Sequence, residues 1–256
     1  MIDNFKKGAL PEAEIIRWLV ELRRNPYIPE SSFAVTAVFR VRAGGTDDYY
    51  FAGVNVENVD HRLTTHAEEG CIAAMVTGLG PDAEIVEGWV MGAPAHLQPS
   101  ADALANAHVT CCGKCRQQMA GFAAPEVKIH SVSLNGKIST TTIDALLPAP
   151  FTFRQMGVAA GKKTAAPSLS PDEVRRKLLR TAPLENTEVR TWLESLAGVD
   201  HFSHVSQAAV LKLADGFYAA GVRVEDAAFL SISAVQSAAA VAVTALGPIE
   251  IEAVWV

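Results

Sequence analysis

An α/β protein with a repeated half is what this 256-residue sequence predicts. Segments with apolar residues at helical spacing alternate with short runs rich in Val, Phe and Tyr. From Gly157 to Ser170 the composition shifts to Gly, Ala, Lys, Pro and Ser, as in a linker. A seven-residue pattern then recurs beyond that stretch. Hydrophobic residues make up 49% of the chain and charged ones 20%, enough apolar material for a buried core and too little charge for a disordered chain.

In order, Ile15, Ile16, Leu19 and Leu22 mark an amphipathic helix from Pro11 to Arg24, with proline suited to its first turn. Ser32 to Val41 reads as a strand and Tyr49 to Val54 as its returning partner, joined by the turn residues Ala43 to Asp48. A helix follows from His66 to about Leu79, then a strand from Ile85 to Met91. Gly92 to His108 reads as an insertion with one short helix, and Lys114 to Phe122 as a helix opened by Cys112. Val127 to Leu134 is a strand ending at the turn pair Asn135-Gly136, and Thr140 to Leu147 a short helix closed by Pro148. Ser170, followed by Pro171, caps a new helix. The apolar stretch from Ala227 to Leu246 reads as a buried helix.

The repeat divides the chain into 1–156 and 157–256. Ala52-Gly-Val-Asn-Val-Glu-Asn58 matches Ala220-Gly-Val-Arg-Val-Glu-Asp226 at a shift of 168, with five of seven residues identical. Glu14, Trp18, Leu19 and Leu22 match Glu188, Trp192, Leu193 and Leu196 further upstream, at a shift of 174. Carried forward without a gap, the shift of 168 sets Ala234 against His66 and Gln236 against Glu68. No cysteine follows Cys115, so the second unit is expected to be a degenerate copy without a metal site.

Two stretches carry chemistry: Thr-His-Ala-Glu-Glu-Gly from Thr65 to Gly70, and Cys-Cys-Gly-Lys-Cys-Arg-Gln from Cys111 to Gln117. His66, Cys112 and Cys115 are three soft or borderline metal ligands, and Glu68 is a carboxylate left over. A catalytic zinc ion takes three protein ligands and keeps its fourth position for water, whereas a structural one takes four. Residues two apart on a helix point about 200° from each other, so His66 and Glu68 can serve one site only at the helix mouth. Cysteines at the start of the next helix would have their thiolates favoured by its amides and dipole, with Arg116 as a further positive charge.

His-x-Glu followed by Cys-x-x-Cys resembles the zinc nucleobase deaminases, and the chain from about residue 10 to 151 is similar to the cytidine deaminases. Asn55-Val56-Glu57-Asn58, Ser32-Phe33-Ala34-Val35 and the ending Leu146-Leu147-Pro148 followed by Phe151 carry the likeness further. The resemblance implies a three-layer α-β-α fold with a mixed sheet, followed by the smaller copy of the same fold. It implies Zn2+ held by His66, Cys112 and Cys115, and Glu68 passing a proton from water to the pyrimidine N3 and then to departing ammonia. Asn55 and Glu57 would bind the ribose, while Phe33 and Ala67 would line the base site. The degenerate copy points to the long-chain, homodimeric class.

Some residues depart from that family. Cys111 stands where it has proline, Thr36 where it has glycine, and Val59-Asp60-His61 where it has a small-residue and aromatic segment. Phe151 lacks the following Gly-Pro, and Gly92 to Ala107 lengthens the gap between the ligands. The metal chemistry is left intact. The substrate is expected to be cytidine or deoxycytidine, with another aminated nucleoside or heterocycle as the alternative, or a zinc-binding assembly role without catalysis. A net charge of −6 and the lack of a basic cluster argue against a nucleic-acid partner. Neither a signal-peptide pattern nor a membrane-length apolar run is read, so a cytoplasmic protein acting on a free nucleoside is expected.

Overall fold

A computed structural model describes residues 1–156, 168–181, 183–196 and 205–256. The first unit runs β1 (Phe5–Lys7), α1 (Glu12–Leu22), β2 (Phe33–Arg42), β3 (Tyr49–Val54), α2 (Ala67–Leu79), β4 (Glu84–Pro94), α3 (Gly113–Phe122), β5 (Ala123–Val132), β6 (Ile138–Thr142) and α4 (Ile143–Leu146). Its six strands form one mixed sheet in the order β1-β3-β2-β4-β5-β6, in which only β4 and β5 run parallel. Most of the linker expected after Gly157, and the boundary placed there, lie outside the described residues.

Strand alternation sends successive side chains to opposite faces. Val38, Tyr50, Ala52, Val54, Trp89 and Met91 meet Ile15, Trp18, Leu19 and Leu22 of α1 on one face. Ala37, Phe39, Val41, Phe51, Ile85 and Val90 meet α2 and α3 on the other. The result is the α-β-α layering that the sequence implied, with the mixed sheet in the middle.

The second unit runs α5 (Pro171–Leu178), β7 (Leu179–Thr181), α6 (Asn186–Leu196), β8 (Ala208–Leu213), β9 (Phe217–Val222), α7 (Ala234–Leu246) and β10 (Ile251–Trp255). Its sheet order, β10-β8-β9-β7, is that of β4-β2-β3-β1 in the first unit, and α6 and α7 stand where α1 and α2 do. The correspondence extends to single contacts. A Cβ on Gly53 would lie 2.1 Å from the Ala67 carbonyl oxygen and 2.6 Å from the Cys71 nitrogen; one on Gly221 would lie 2.7 Å from the Ala234 oxygen and 2.2 Å from the Ala238 nitrogen. In each unit a glycine lets the helix settle directly on the strand.

Helices α2 and α7 pack against each other between the two sheets, and the contacts are reciprocal. Val222 donates its N–H to Thr77 Oγ1 at 3.2 Å, and Val54 donates its N–H to Thr244 Oγ1 at 3.3 Å. Such self-complementary pairing is what a twofold interface produces, here inside one chain.

Several elements differ from the sequence reading. β4 continues to Pro94, into the stretch read as an insertion. The segment read as a helix from Thr140 begins as the end of β6, which pairs with β5 from Lys128 to Val132, and its helix, α4, is only four residues long. α7 begins at Ala234, because Ala227 to Ile232 form the loop that leads to it. The N-cap of α7 is Ser233, so Ser233 corresponds to His66 and Val235 to Glu68, one residue away from the ungapped alignment. The loop in the second unit is one residue shorter, and neither replacement is a ligand or an acid. Among the described residues no helix is long and apolar enough to cross a membrane.

Replacing Gly53 or Gly221 by alanine is expected to lower unfolding stability by about 1–3 kcal/mol or more, since the contact is with backbone that cannot swing aside. Gly121→Ala, where a Cβ meets nothing within 4 Å, serves as the control. Urea denaturation reads the difference, and equal stability of all three variants would contradict the close approach.

Candidate metal centre

His66 is the N-cap of α2, and its place is set from both sides. Upstream, Thr65 pairs with Val56, which donates to the Thr65 carbonyl at 2.8 Å and accepts from its N–H at 3.0 Å. Downstream, Glu69 closes a capping box by accepting the His66 N–H at 2.9 Å. Cys112 is likewise the N-cap of α3, and Cys115 lies in its first turn.

His66 Nδ1 lies 3.3 Å from each sulfur, and the two sulfurs are 3.6 Å apart. Among the described residues this is the one group of His, Cys, Asp or Glu side chains placed to hold a metal ion. Tetrahedral bonds of ~2.3 Å to sulfur and ~2.0 Å to nitrogen would set the sulfurs about 3.8 Å apart and each about 3.5 Å from the nitrogen. The donor triangle therefore fits a zinc-sized ion. All four cysteines are free thiols.

Without an ion, the cluster shares its protons. The Cys112 thiol is pulled down to about 3 by the hydrogen bond from Cys115, helped by His66, while Cys115 is pushed up by that same bond and by burial. The Cys112 thiolate in turn raises the His66 imidazole. Glu68 is buried, which holds its carboxyl above the usual range. Cys111, also buried, turns its thiol to Glu68 and not to the ligand set, so the cysteine in place of proline contacts the acid.

Arg116 uses its guanidinium on backbone, donating to the carbonyl oxygens of Cys111 at 2.7 Å and Leu146 at 3.2 Å. It fixes the segment leading into Cys112. Asn55 accepts from the Val35 N–H at 2.8 Å and donates to the Phe33 carbonyl at 2.9 Å. Glu57 accepts from the N–H groups of Glu30 and Ser31 at 2.9 and 3.2 Å. Burial pushes its carboxyl up, but the Ser31 hydroxyl together with those N–H groups outweighs it and leaves the carboxyl below its usual range. Phe33 is half-buried with its ring over Gly92, and Ala67 is fully buried at the start of α2. Phe33, Asn55 and Glu57 thus form one group at the ends of β2 and β3, joined to the ligand group by the Val56–Thr65 pairing.

No protein-family model matches the chain. A cytidine deaminase of Halalkalibacterium halodurans is 27% identical over 142 residues, which are 56% of this chain and 95% of that protein. One of Sporosarcina psychrophila is 27% identical over 138 residues, 54% of this chain and 89% of that protein. Over slightly more than half of its length the chain is similar to these cytidine deaminases. Two solved cytidine deaminases, from Burkholderia pseudomallei and Mycobacterium leprae, align over 56% and 55% of the chain at 26% and 27% identity, with TM-scores of 0.45 and 0.40. Nearly the whole length of the H. halodurans relative is thus matched by 56% of this chain.

Sequence reading did not single out three contacts around this site. Lys114 forms an ion pair with Glu69 at 2.9 Å. From the second unit, Gln236 donates to the Leu63 carbonyl at 3.0 Å, and the Leu230 carbonyl accepts from Gln118 at 2.5 Å. Only the capping-box spacing from His66 to Glu69 was visible in advance. The other partners are distant in sequence.

In the metal-free chain, Cys112 is expected to be alkylated by iodoacetamide down to about pH 5, with Cys71 and Cys115 spared, because the thiolate is the reactive form. Zinc should suppress the labelling. Peptide mass spectrometry measures it, and equal labelling of Cys71 would contradict the assignment.

Proposed function

We propose that the chain hydrolyses cytidine or deoxycytidine to the uracil nucleoside and ammonia, with zinc held by His66, Cys112 and Cys115. The observation that carries this reading is the donor triangle of one imidazole and two sulfurs with a buried, unligated carboxylate on the same helix turn. The bound ion would lower the pKa of a water so that a nucleophile is available near neutral pH. Glu68 takes a proton from that water, delivers it to N3 of the pyrimidine, and later protonates the departing amine. A carbon–oxygen bond forms at C4 and the carbon–nitrogen bond breaks. Burial holds the Glu68 carboxyl above the usual carboxylate range, the direction that favours a group that must both accept and donate a proton.

Asn55 and Glu57 bind the ribose in this reading. Asn55 keeps a second N–H and a second lone pair beyond its two backbone bonds, and Glu57 keeps acceptor capacity on its carboxylate. Phe33 and Ala67 border the base. Residues 1–156 form the catalytic unit and 157–256 the metal-free one. Module-on-module packing, the sequence-based ground for a homodimer, is met within one chain by α2 and α7. The homodimer then rests on the resemblance alone, and light scattering that finds a single-chain mass would overturn it. Free thiols fit a cytoplasmic setting.

Glu68→Gln is expected to retain zinc while losing turnover by about 10²–10⁴-fold, because the ligands remain and the proton shuttle goes. A cytidine-to-uridine assay with and without a chelator tests both halves of the reading. The loop from Val59 to His61, which departs from the family and leaves Val59 exposed, is a reason to assay other aminated nucleosides alongside. Ammonia release from one of these and none from cytidine would overturn the substrate.

A further inference from the structure

We infer that the Glu69–Lys114 ion pair is a clasp that holds the two ligand-bearing helix starts at metal-binding distance. This rests on the reading of His66, Cys112 and Cys115 as metal ligands. One oxygen of Glu69 accepts the His66 backbone N–H at 2.9 Å, and the other meets Lys114 Nζ at 2.9 Å. Lys114 lies between the two cysteine ligands, and its ammonium also donates to the Thr64 carbonyl at 3.4 Å. A single carboxylate is thus bonded to the backbone of one ligand and to the turn that carries the other two.

The internal copy separates two roles that Glu69 could have. In α7, Gln236 occupies the same capping position and accepts the Ser233 N–H at 3.1 Å. A neutral amide therefore suffices to cap this helix. Glu69 is 1% exposed, so its charge carries a desolvation cost that capping alone does not require. Lys114 is in the first turn of α3, where the helix dipole disfavours a cation. Lys114 is unfavourable in its own helix and Glu69 is costly to bury as a charge, and the pairing across the site offsets both. Residues 247–256 hold one strand and no helix, and in α7 the acid is replaced by glutamine.

Formal charge agrees with this assignment. A zinc ion, two thiolates and a neutral imidazole sum to zero, which leaves Glu69 to be balanced by Lys114. Removing the clasp leaves all ligands in place but frees the Cys112–Cys115 turn from the His66 turn. Residues that orient metal ligands in this way typically change affinity by about 10–100-fold when lost.

The test measures zinc affinity by chelator competition, and zinc release rate, in the full chain and in Glu69→Gln, Lys114→Met, the double variant and Lys114→Arg. Glu69→Gln keeps the cap as Gln236 does, so it is expected to fold, and urea denaturation of the metal-free forms checks that it does. We expect each single neutral variant to bind zinc about 10–100-fold more weakly. The double variant should be no worse than either, Lys114→Arg should recover most of the affinity, and saturating zinc should restore kcat. Affinities within a few-fold of the unmodified chain, or losses that add in the double variant, would overturn the clasp. An unmodified chain that takes up no zinc would overturn the metal reading itself, and the clasp with it.

Discussion

Helix α2 is buried at every position from Ala67 to Gly78, and it can be so only because α7 covers the side that the six-stranded sheet leaves open. A helix apolar on all faces has to be enclosed. Gly53 brings it onto β3 from one side, and the reciprocal Thr77 and Thr244 contacts fix it against the second unit from the other. With its body held this way, the helix presents its N-terminus, and hence His66, at a defined point. The first turn of α3 arrives there with Cys112 and Cys115.

This arrangement gives the second unit a physical task although its own helix has no ligand. Ser233 and Val235 stand where His66 and Glu68 do, yet Gly221 keeps the same close approach and Thr244 the same cross-contact. What is retained is what packing needs; what has changed is what a metal needs. Gln236 and Leu230 also reach the loop before His66 and the flank of α3, so the copy supports the rim of the site as well as its base.

Charge placement around the site is economical. Buried Glu68 and Glu69 are neighbours in sequence but have different surroundings: Cys111 lies against the first, and Lys114 and the His66 backbone against the second. In the proposed reaction the first moves a proton, whereas the second is tied on both oxygens. Their environments separate two identical side chains into two roles.

Local patterns were sufficient for much of this. The ligand trio, the extra carboxylate, the hairpin of β2 and β3 and the existence of an internal copy all follow from spacing within short windows, because helix and strand periodicity and metal-ligand spacing are local properties. The same locality explains the errors. Thr140 to Thr142 became strand because β5 offered an unpaired edge, and α7 lost about two turns at its start to a loop whose length no window reveals. Sequence alone singled out the three side chains that could hold a metal and the carboxylate beside them. Only the tertiary structure decided that Glu69 meets Lys114 and that α7 encloses α2, because those contacts join residues far apart in the chain and depend on how whole elements pack.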